Sequence, residues 1–356
     1  MTRRVVAVRD RALSARIVRT MPLHYAAGAD AALDRPAHVR AGSGLAWVGP
    51  RLVVVQDDAN FLALVDPLDG SVEAIALPAG AGGSRQFDDV RGNKAAKLDL
   101  EAVVSIPQPG GGATVLALGS GSTARRESVV ALRGVGTDGA VDRAVAEVVP
   151  ASAWYARLRA LVAFAGSELN VEAAVYLGSA KGGDLRLFNR GNGAPRRGLT
   201  PVDATCDVSW PSLAAYLASP GTAPPPEPRE IVHYDLGDIA GLALTFTDAT
   251  PGPGSAGDAR HRIVYTAAAE ASPDATRDGP VAGCAVGVID EQPEGISARW
   301  APLEGDEGVL FGGKVEGIAM HRADRGRAYV VVDRDAPGEP AELCEVVLEG
   351  PWFTGP

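Results

Sequence analysis

The chain has only three cysteines, Cys206, Cys284 and Cys344, far apart and without a CxxC pair. That excludes a disulfide framework and a thiolate metal site, and leaves them as buried small hydrophobes in a reducing compartment, with at most one chance disulfide. Its five histidines (His24, His38, His233, His261 and His321) show no metal-ligand spacing. No stretch approaches 18 consecutive apolar residues, so no membrane span is expected. Basic charge is in deficit: the formal net charge is −10. Nucleic acid is therefore not an expected partner, because phosphate backbones are held by basic surface. The N-terminal "MTRRVVAVRDRALSARIVRT" lacks an apolar core, since Arg9, Asp10 and Arg11 interrupt it. A secretory signal is not expected, and the strand-like "RVVAVR" weighs against a transit peptide; the expected location is cytoplasmic. No G-x-S-x-G elbow is present. "GSGS" (119–122) lacks the Lys-Ser/Thr of a phosphate-binding loop and reads as a turn.

What is present is ample material for a core: 356 residues, 46% of them hydrophobic. The 43 glycines and 26 prolines point to many turns rather than disorder. Short β-rich runs dominate, among them "LVVVQ" (52–56), "FLALVD" (61–66), "TVLALGS" (114–120), "RIVYTA" (262–267) and "AYVVVD" (328–333). Turn residues punctuate them about every ten positions, as all-β structure requires. Two stretches read as helical: 152–166, with Ser152 as N-cap, and 209–219, with Pro211 near its start. "PGTAPPPEPR" (220–229) reads as an exposed polyproline-type loop.

Five segments share an outline of small and apolar residues, a turn, and a second apolar strand ending in polar residues. They are "SGLAWVGPRLVVVQDDAN" (43–60), "LEAVVSIPQPGGGATVLALGSGST" (100–123), "VEAAVYLGSAKGGDLRLFNRGN" (171–192), a fourth over 240–272 with a long Gly/Pro-rich turn, and "EGIAMHRADRGRAYVVVDRDA" (316–336). Aligned, they put Ser43, Glu101, Glu172, Ala240 and Glu316 in one column, 58 to 76 residues apart. Units of this size, holding about four strands, are propeller blades. The expected fold is thus all-β: a five-bladed β-propeller forming one domain over 1–356, with one or two inserted helices. Blades start near 43, 100, 171, 240 and 315. The last unit stops after three strands, so a strand from the N-terminal segment 1–42, within "RVVAVRD" or "ARIVRTM", would close the ring. Six blades is the alternative if that segment forms more than a closing strand.

First strands of blades line the central channel, so the column should face the axis. Crowded carboxylates raise one another's pKa unless a cation compensates. Oxygen donors from Ser43, Glu101, Glu172 and Glu316 suit a hard cation, Ca²⁺ better than Mg²⁺. The alternative is that each Glu binds free backbone N–H groups or water in a wet channel. The second-strand ends should rim one mouth with Asp57, Asp58, Ser120, Ser122, Arg190, Glu270 and Asp333. There Asp57 and Asp58 could activate water, while Arg125, Arg126, Arg190 and the serines hold a small anionic ligand. The same residues also suit a plain solvated rim.

In order, the motifs "SGLAW…LVVVQDDAN", "LEAVV…VLALGSGS", "VEAAV…LFNRGN" and "KVEGIAM" resemble those of calcium-activated nucleotidases of the apyrase type. More loosely, the chain is similar to uncharacterised bacterial phytase-like propeller proteins with "EG(I/L)A" strands. The nucleotidase resemblance implies a five-bladed propeller with an axial Ca²⁺ that hydrolyses nucleoside di- and triphosphates, with Ser43, Glu101, Glu172 and Glu316 at the metal. The chain departs from that pattern at Ala240, where a Ser is expected, at Ala102, where an aromatic is, and in its basic residues, which match only in part. Three functions follow as expectations: a metal-dependent hydrolase of a phosphate ester or anhydride, a non-catalytic scaffold with a structural cation that binds a small ligand or a protein, and a sugar-active enzyme with two rim carboxylates.

Overall fold

The structure, a computed structural model, describes residues 2–179, 182–254, 261–277 and 279–353. The Gly/Pro-rich turn of the fourth repeat lies partly outside them. Strands begin where β-branched and aliphatic residues cluster and end at Gly, Asp or Pro. In the middle strands both faces are covered: Leu52, Val53, Val54 and Val55 are all fully buried. Outer strands alternate instead, as in Ser14–Pro22, where Ala15 and Ile17 are buried and Arg16 and Val18 exposed. That is the signature of sheets stacked face to face, with one edge in solvent.

The fold centres on five strands: β1 (Gly42–Val48), β2 (Leu100–Pro107), β3 (Val171–Leu177), β4 (Leu242–Pro251) and β5 (Lys314–Met320). Each starts an antiparallel run of strands in sequence order, for example Gly42–Val48, Arg51–Gln56, Phe61–Val65 and Val72–Ala76. The five starting strands touch in a cycle: β1 packs on β2, β2 on β3, β3 on β4, β4 on β5 and β5 on β1. The apolar clusters repeat this cycle. Val53 and Leu62 pack with Val103 and Val130, Phe188 with Phe246 and Tyr265, and Tyr329 and Val331 with Leu45 and Val54. Sheets arranged this way around a common axis form a β-propeller.

The last run has three strands of its own and takes its fourth from the N-terminus: Ser14–Pro22 pairs antiparallel with Glu342–Glu349. "ARIVRTM" is thus the closing strand. "RVVAVRD" has another role: Arg3–Val6 adds in parallel to Arg229–Asp235, and Val8–Arg9 adds to Gly295–Glu304. A two-residue pairing of Leu303 and Glu304 with Ala15 and Arg16 links the ladders of the last two runs.

The expected helix over 152–166 is two helices, Ser152–Ala160 and Val162–Ala165, broken at Leu161. Ser152 is already inside the first, and Ala151 stands at the cap position without a side-chain hydrogen bond. Trp154, Tyr155, Leu158 and Phe164 anchor the pair in the core between the second and third sheets. Trp210–Ala218 is helical with Pro211 in its first turn, as expected. The three cysteines are buried and free. No helix among the described residues is long and apolar enough to cross a membrane.

Candidate functional site

Every central strand carries a bulge at the same place. The ladder skips one residue between Gly42 and Gly44, Leu100 and Ala102, Val171 and Ala173, Phe246 and Asp248, and Val315 and Gly317. The unpaired residues are Ser43, Glu101, Glu172, Thr247 and Glu316. A bulge sets two residues against one and re-aims a side chain, and here it does so once per sheet. This corrects the aligned column in one position. Ala240 lies in the turn before β4 with φ +54°, and Thr247 occupies the fourth place. The Thr247 hydroxyl donates to Thr266 Oγ1 at 3.0 Å. Close strand approach explains the small neighbours: a Cβ on Gly317 would meet Val331 Cγ1 at 2.6 Å, and one on Gly44 would meet the Glu101 carbonyl at 2.8 Å.

Ser43, Glu101, Glu172 and Glu316 line one narrow cavity at the start of the central strands, with Asp57, Asp99 and Asp333. Five cations line it: Lys97, Arg126, Arg190, Arg277 and Lys314. The buried Arg190 guanidinium pairs with Glu270 and, through Nη1, lies 3.4 Å from Glu172 Oε1 and 3.9 Å from Glu316 Oε1. Its Nε donates to Thr245 Oγ1 at 3.1 Å. Lys314 Nζ is 3.1 Å from Glu316 Oε1. Lys97 bridges Asp57 and Asp99, with Nζ 2.6 Å from Asp57 Oδ2 and 2.8 Å from Asp99 Oδ1. Asp99, held at φ +57°, also receives Arg126 at 2.8 Å and the Ser120 hydroxyl.

Seven carboxylates (Asp57, Asp99, Glu101, Glu172, Glu270, Glu316 and Asp333) thus face five cations (Lys97, Arg126, Arg190, Arg277 and Lys314). The imbalance shows in the protonation equilibria. Burial, with Asp57, Asp99 and Glu172 beside it, pushes Glu101 well above the usual carboxylate range. Burial pushes Glu172 up to about 8 although Arg190 opposes it, and Glu316 adds to the rise. Burial likewise holds Asp333 at about 8 against Lys314. Asp99 goes the other way, because Lys97 and Arg126 outweigh its burial. Two donor features stand out. Asp57, Asp99 and Glu101 each present an oxygen within 4.8 Å of the other two, as a metal-binding triad requires. Glu172 Oε2 is buried and takes no hydrogen bond.

Above this cluster opens a cavity of about 760 Å³ bordered by Asp57, Asp58, Asp88, Asp89, Asp333 and Asp335 against Lys94 and Arg277. Asp58 pairs with the buried Arg40 at 2.5 Å; burial still lifts it to about 6, with Asp57 adding to the rise. Of the residues expected at the rim, Ser120, Ser122, Arg126 and Arg190 are drawn inward as carboxylate or hydroxyl partners, Arg126 Nη1 lying 2.9 Å from Ser122 Oγ. Arg125 is exposed and apart from the cavity. Lys97, Asp99 and Lys314 were missed by sequence reasoning. Asp99 and Lys314 were within reach of it: Thr245 and Lys314 stand two residues before a bulge on their strands, and Asp99 and Asn170 hold the same place just ahead of β2 and β3.

A family model described as a family of unknown function (DUF6929) matches residues 38–348. The chain belongs to DUF6929. No curated protein matches this DUF6929 chain. Among solved structures it is similar to a glutaminyl cyclase of Myxococcus xanthus (12% identity, TM-score 0.42, covering 98% of this chain and 99% of that one). It is also similar to a GH93 α-L-arabinofuranosidase of Fusarium graminearum solved with arabinobiose (11%, TM-score 0.41, 93% and 98%). A third is the PQQ-bound aldose sugar dehydrogenase of Streptomyces coelicolor (13%, TM-score 0.38, 95% and 98%).

Proposed function

We propose that the chain is a five-bladed propeller, closed by Ser14–Pro22, that binds a divalent cation at the charged end of its channel and a small ligand in the open cavity above. The observation that carries this is the buried, undonated Oε2 of Glu172 beside the Asp57–Asp99–Glu101 triad, in a cluster where carboxylates outnumber their cations. An oxygen-only donor set favours Ca²⁺. The residues fit such an ion: Glu101 and Glu172 hold protons that a cation would displace. Ser43, 3% exposed, and Glu316 stand at the same level of the channel.

The reaction class that suits this site is hydrolysis of a phosphate ester or anhydride, in which a bound cation would polarise the phosphoryl oxygen. Asp58, lifted to about 6, would be the proton acceptor at the mouth, with Asp57 beside it. Arg126 and Arg190 are engaged by carboxylates, which leaves Lys94, Arg277 and the bound cation to face an anionic ligand. A second reading has its own support. Arg190 already bridges Glu172, Glu270 and Glu316, as a structural cation would. On that reading the propeller is a non-catalytic scaffold.

The test is elemental analysis and calcium titration after chelation, with a Glu172→Gln/Glu316→Gln double variant alongside. About one Ca²⁺ per chain, lost in the double variant, supports the axial site. Calcium-dependent phosphate release from phosphorylated substrates, lost in Asp58→Asn, then separates enzyme from scaffold. No uptake and an unchanged melting temperature would leave Arg190 as the axial cation and sink the metal reading.

A further inference from the structure

The channel has a second end. Two residues after each bulge, on the same strand face, come Leu45, Val103, Ala174, Ala249 and Ile318, each no more than 3% exposed. This apolar layer closes the waist and separates the charge cluster from whatever lies below it. At the far ends of the central strands a distinct cavity of about 360 Å³ opens, with Trp47, Ser105, Tyr176, Pro251 and Met320 at its border. Among the described residues its walls contain no carboxylate and one charged group, Arg322.

Arg322 is unusual in this acidic chain. Its guanidinium lies over the Trp47 ring, 4.6 Å from the centroid. No hydrogen bond or ion pair joins it to another described residue, and partial burial alone acts on its pKa, lowering it. An arginine stacked on an indole at the rim of an apolar cavity is poised for an anion whose remaining surface is apolar. The Trp47 ring is fixed from behind, since its Nε1 donates to the Met320 carbonyl at 2.8 Å. A second polar residue borders the same cavity. Thr250 lines the cavity at 8% exposure, and its hydroxyl has no hydrogen-bond partner among the described residues.

We infer that this mouth binds a small aromatic or branched-chain carboxylate, its acid group on Arg322 and its apolar body against Trp47 and Tyr176. The volume suits one ring or a short branched chain, at the small end of ligand cavities. An amine is disfavoured by Arg322, and an inorganic anion would leave the apolar walls unmatched. The assignment is independent of the axial cation. The same carboxylate chemistry exists at the C-terminus of a peptide; the bound species here is the free acid, because about 360 Å³ holds one small acid.

Calorimetric titration with phenylacetate and 3-methylbutanoate tests this, with phenylacetamide, phenethylamine and a tetrapeptide ending in Phe as comparisons. The expected result is a Kd below about 1 mM for the acids and at least tenfold weaker binding of amide and amine. Arg322→Ala should weaken the acids about tenfold at an unchanged melting temperature, and Thr250→Val a few-fold. Glu172→Gln should leave their affinity unchanged. Equal binding of acid and amide, full affinity in Arg322→Ala, binding of the peptide alone, or no heat with any acid at about 10 mM would each overturn the assignment.

Discussion

At one end of the channel, Asp57, Asp99, Glu101, Glu172 and Glu316 crowd around Lys97, Arg190 and Lys314; at the other, Trp47, Tyr176 and Met320 line a cavity whose one charged group among the described residues is Arg322. Both ends are built from the same five strands and the same side-chain columns, read four residues apart. Glu172 and Tyr176 share one face of β3, as Glu316 and Met320 share one face of β5. The backbone therefore supplies only position, and each end's chemistry is set by a handful of side chains. What keeps two such different environments about 13 Å apart is the apolar waist, about two strand residues of rise on either side. At that waist Asp248 is the exception. Its Oδ2 accepts from Ile318 N at 2.8 Å and from Leu45 N at 3.4 Å, tying β4 to β5 and β1. Burial raises its pKa well above the carboxylate range, which favours the protonated acid against the backbone donors that oppose it.

The sharpest way to break the comparison is to remove one arginine from each end. Arg190→Met leaves Glu172, Glu270 and Glu316 without their shared partner and should cost about 3–5 kcal/mol by urea denaturation in chelator. Saturating Ca²⁺ should recover part of that loss. Arg322→Met at the apolar mouth should change stability by no more than about 0.5 kcal/mol. Similar losses at both ends would mean that the charged cluster is not the tightly coupled network described.

A smaller effect is expected from pH. Glu172 and Asp333 titrate at about 8 in the folded chain, above the usual carboxylate range. The folded state then binds protons that the unfolded chain has released. Their contribution to stability is complete below the unfolded carboxylate pKa and is lost as pH rises through about 8. In chelator the melting temperature should fall from about pH 5 to about pH 8. Ca²⁺ should flatten this fall by taking the protons' place. A flat profile without metal would show that the excess carboxylates are already neutralised.

The smallest effect concerns the waist. Asp248→Asn mimics the protonated acid and should cost less than about 1 kcal/mol, whereas Asp248→Ala abandons two backbone donors and should cost about 1–3 kcal/mol. Chemical denaturation of the two variants decides it. A large loss in the Asn variant would mean that Asp248 is ionised and serves the charged end.

Much of this was legible in the chain. Glu316 interrupts the apolar "KVEGIAM" for the reason its repeats suggest: it is a bulge residue facing the channel, like Glu101 and Glu172. The fourth position was misread because "AGLALTFTDATP" offers two small-residue starts, and only the strand ladder selects Phe246-Thr247-Asp248. Side chains that reach into the cluster from strand ends, such as Arg190 and Lys97, were visible as residue types but not as partners of particular carboxylates.

By itself the sequence determined the β-strands, their repetition, the inward column of Ser43, Glu101, Glu172 and Glu316, and the need for an N-terminal strand to complete the last sheet. These follow from local periodicity and from the cost of an open edge. Only the tertiary structure decided that Arg190 is spent on three glutamates, that Thr247 replaces Ala240, and that Trp47, Thr250 and Arg322 meet across the far mouth. Those meetings join residues up to some 270 positions apart, and such distances are fixed by the closure of the ring of sheets, not by any local pattern.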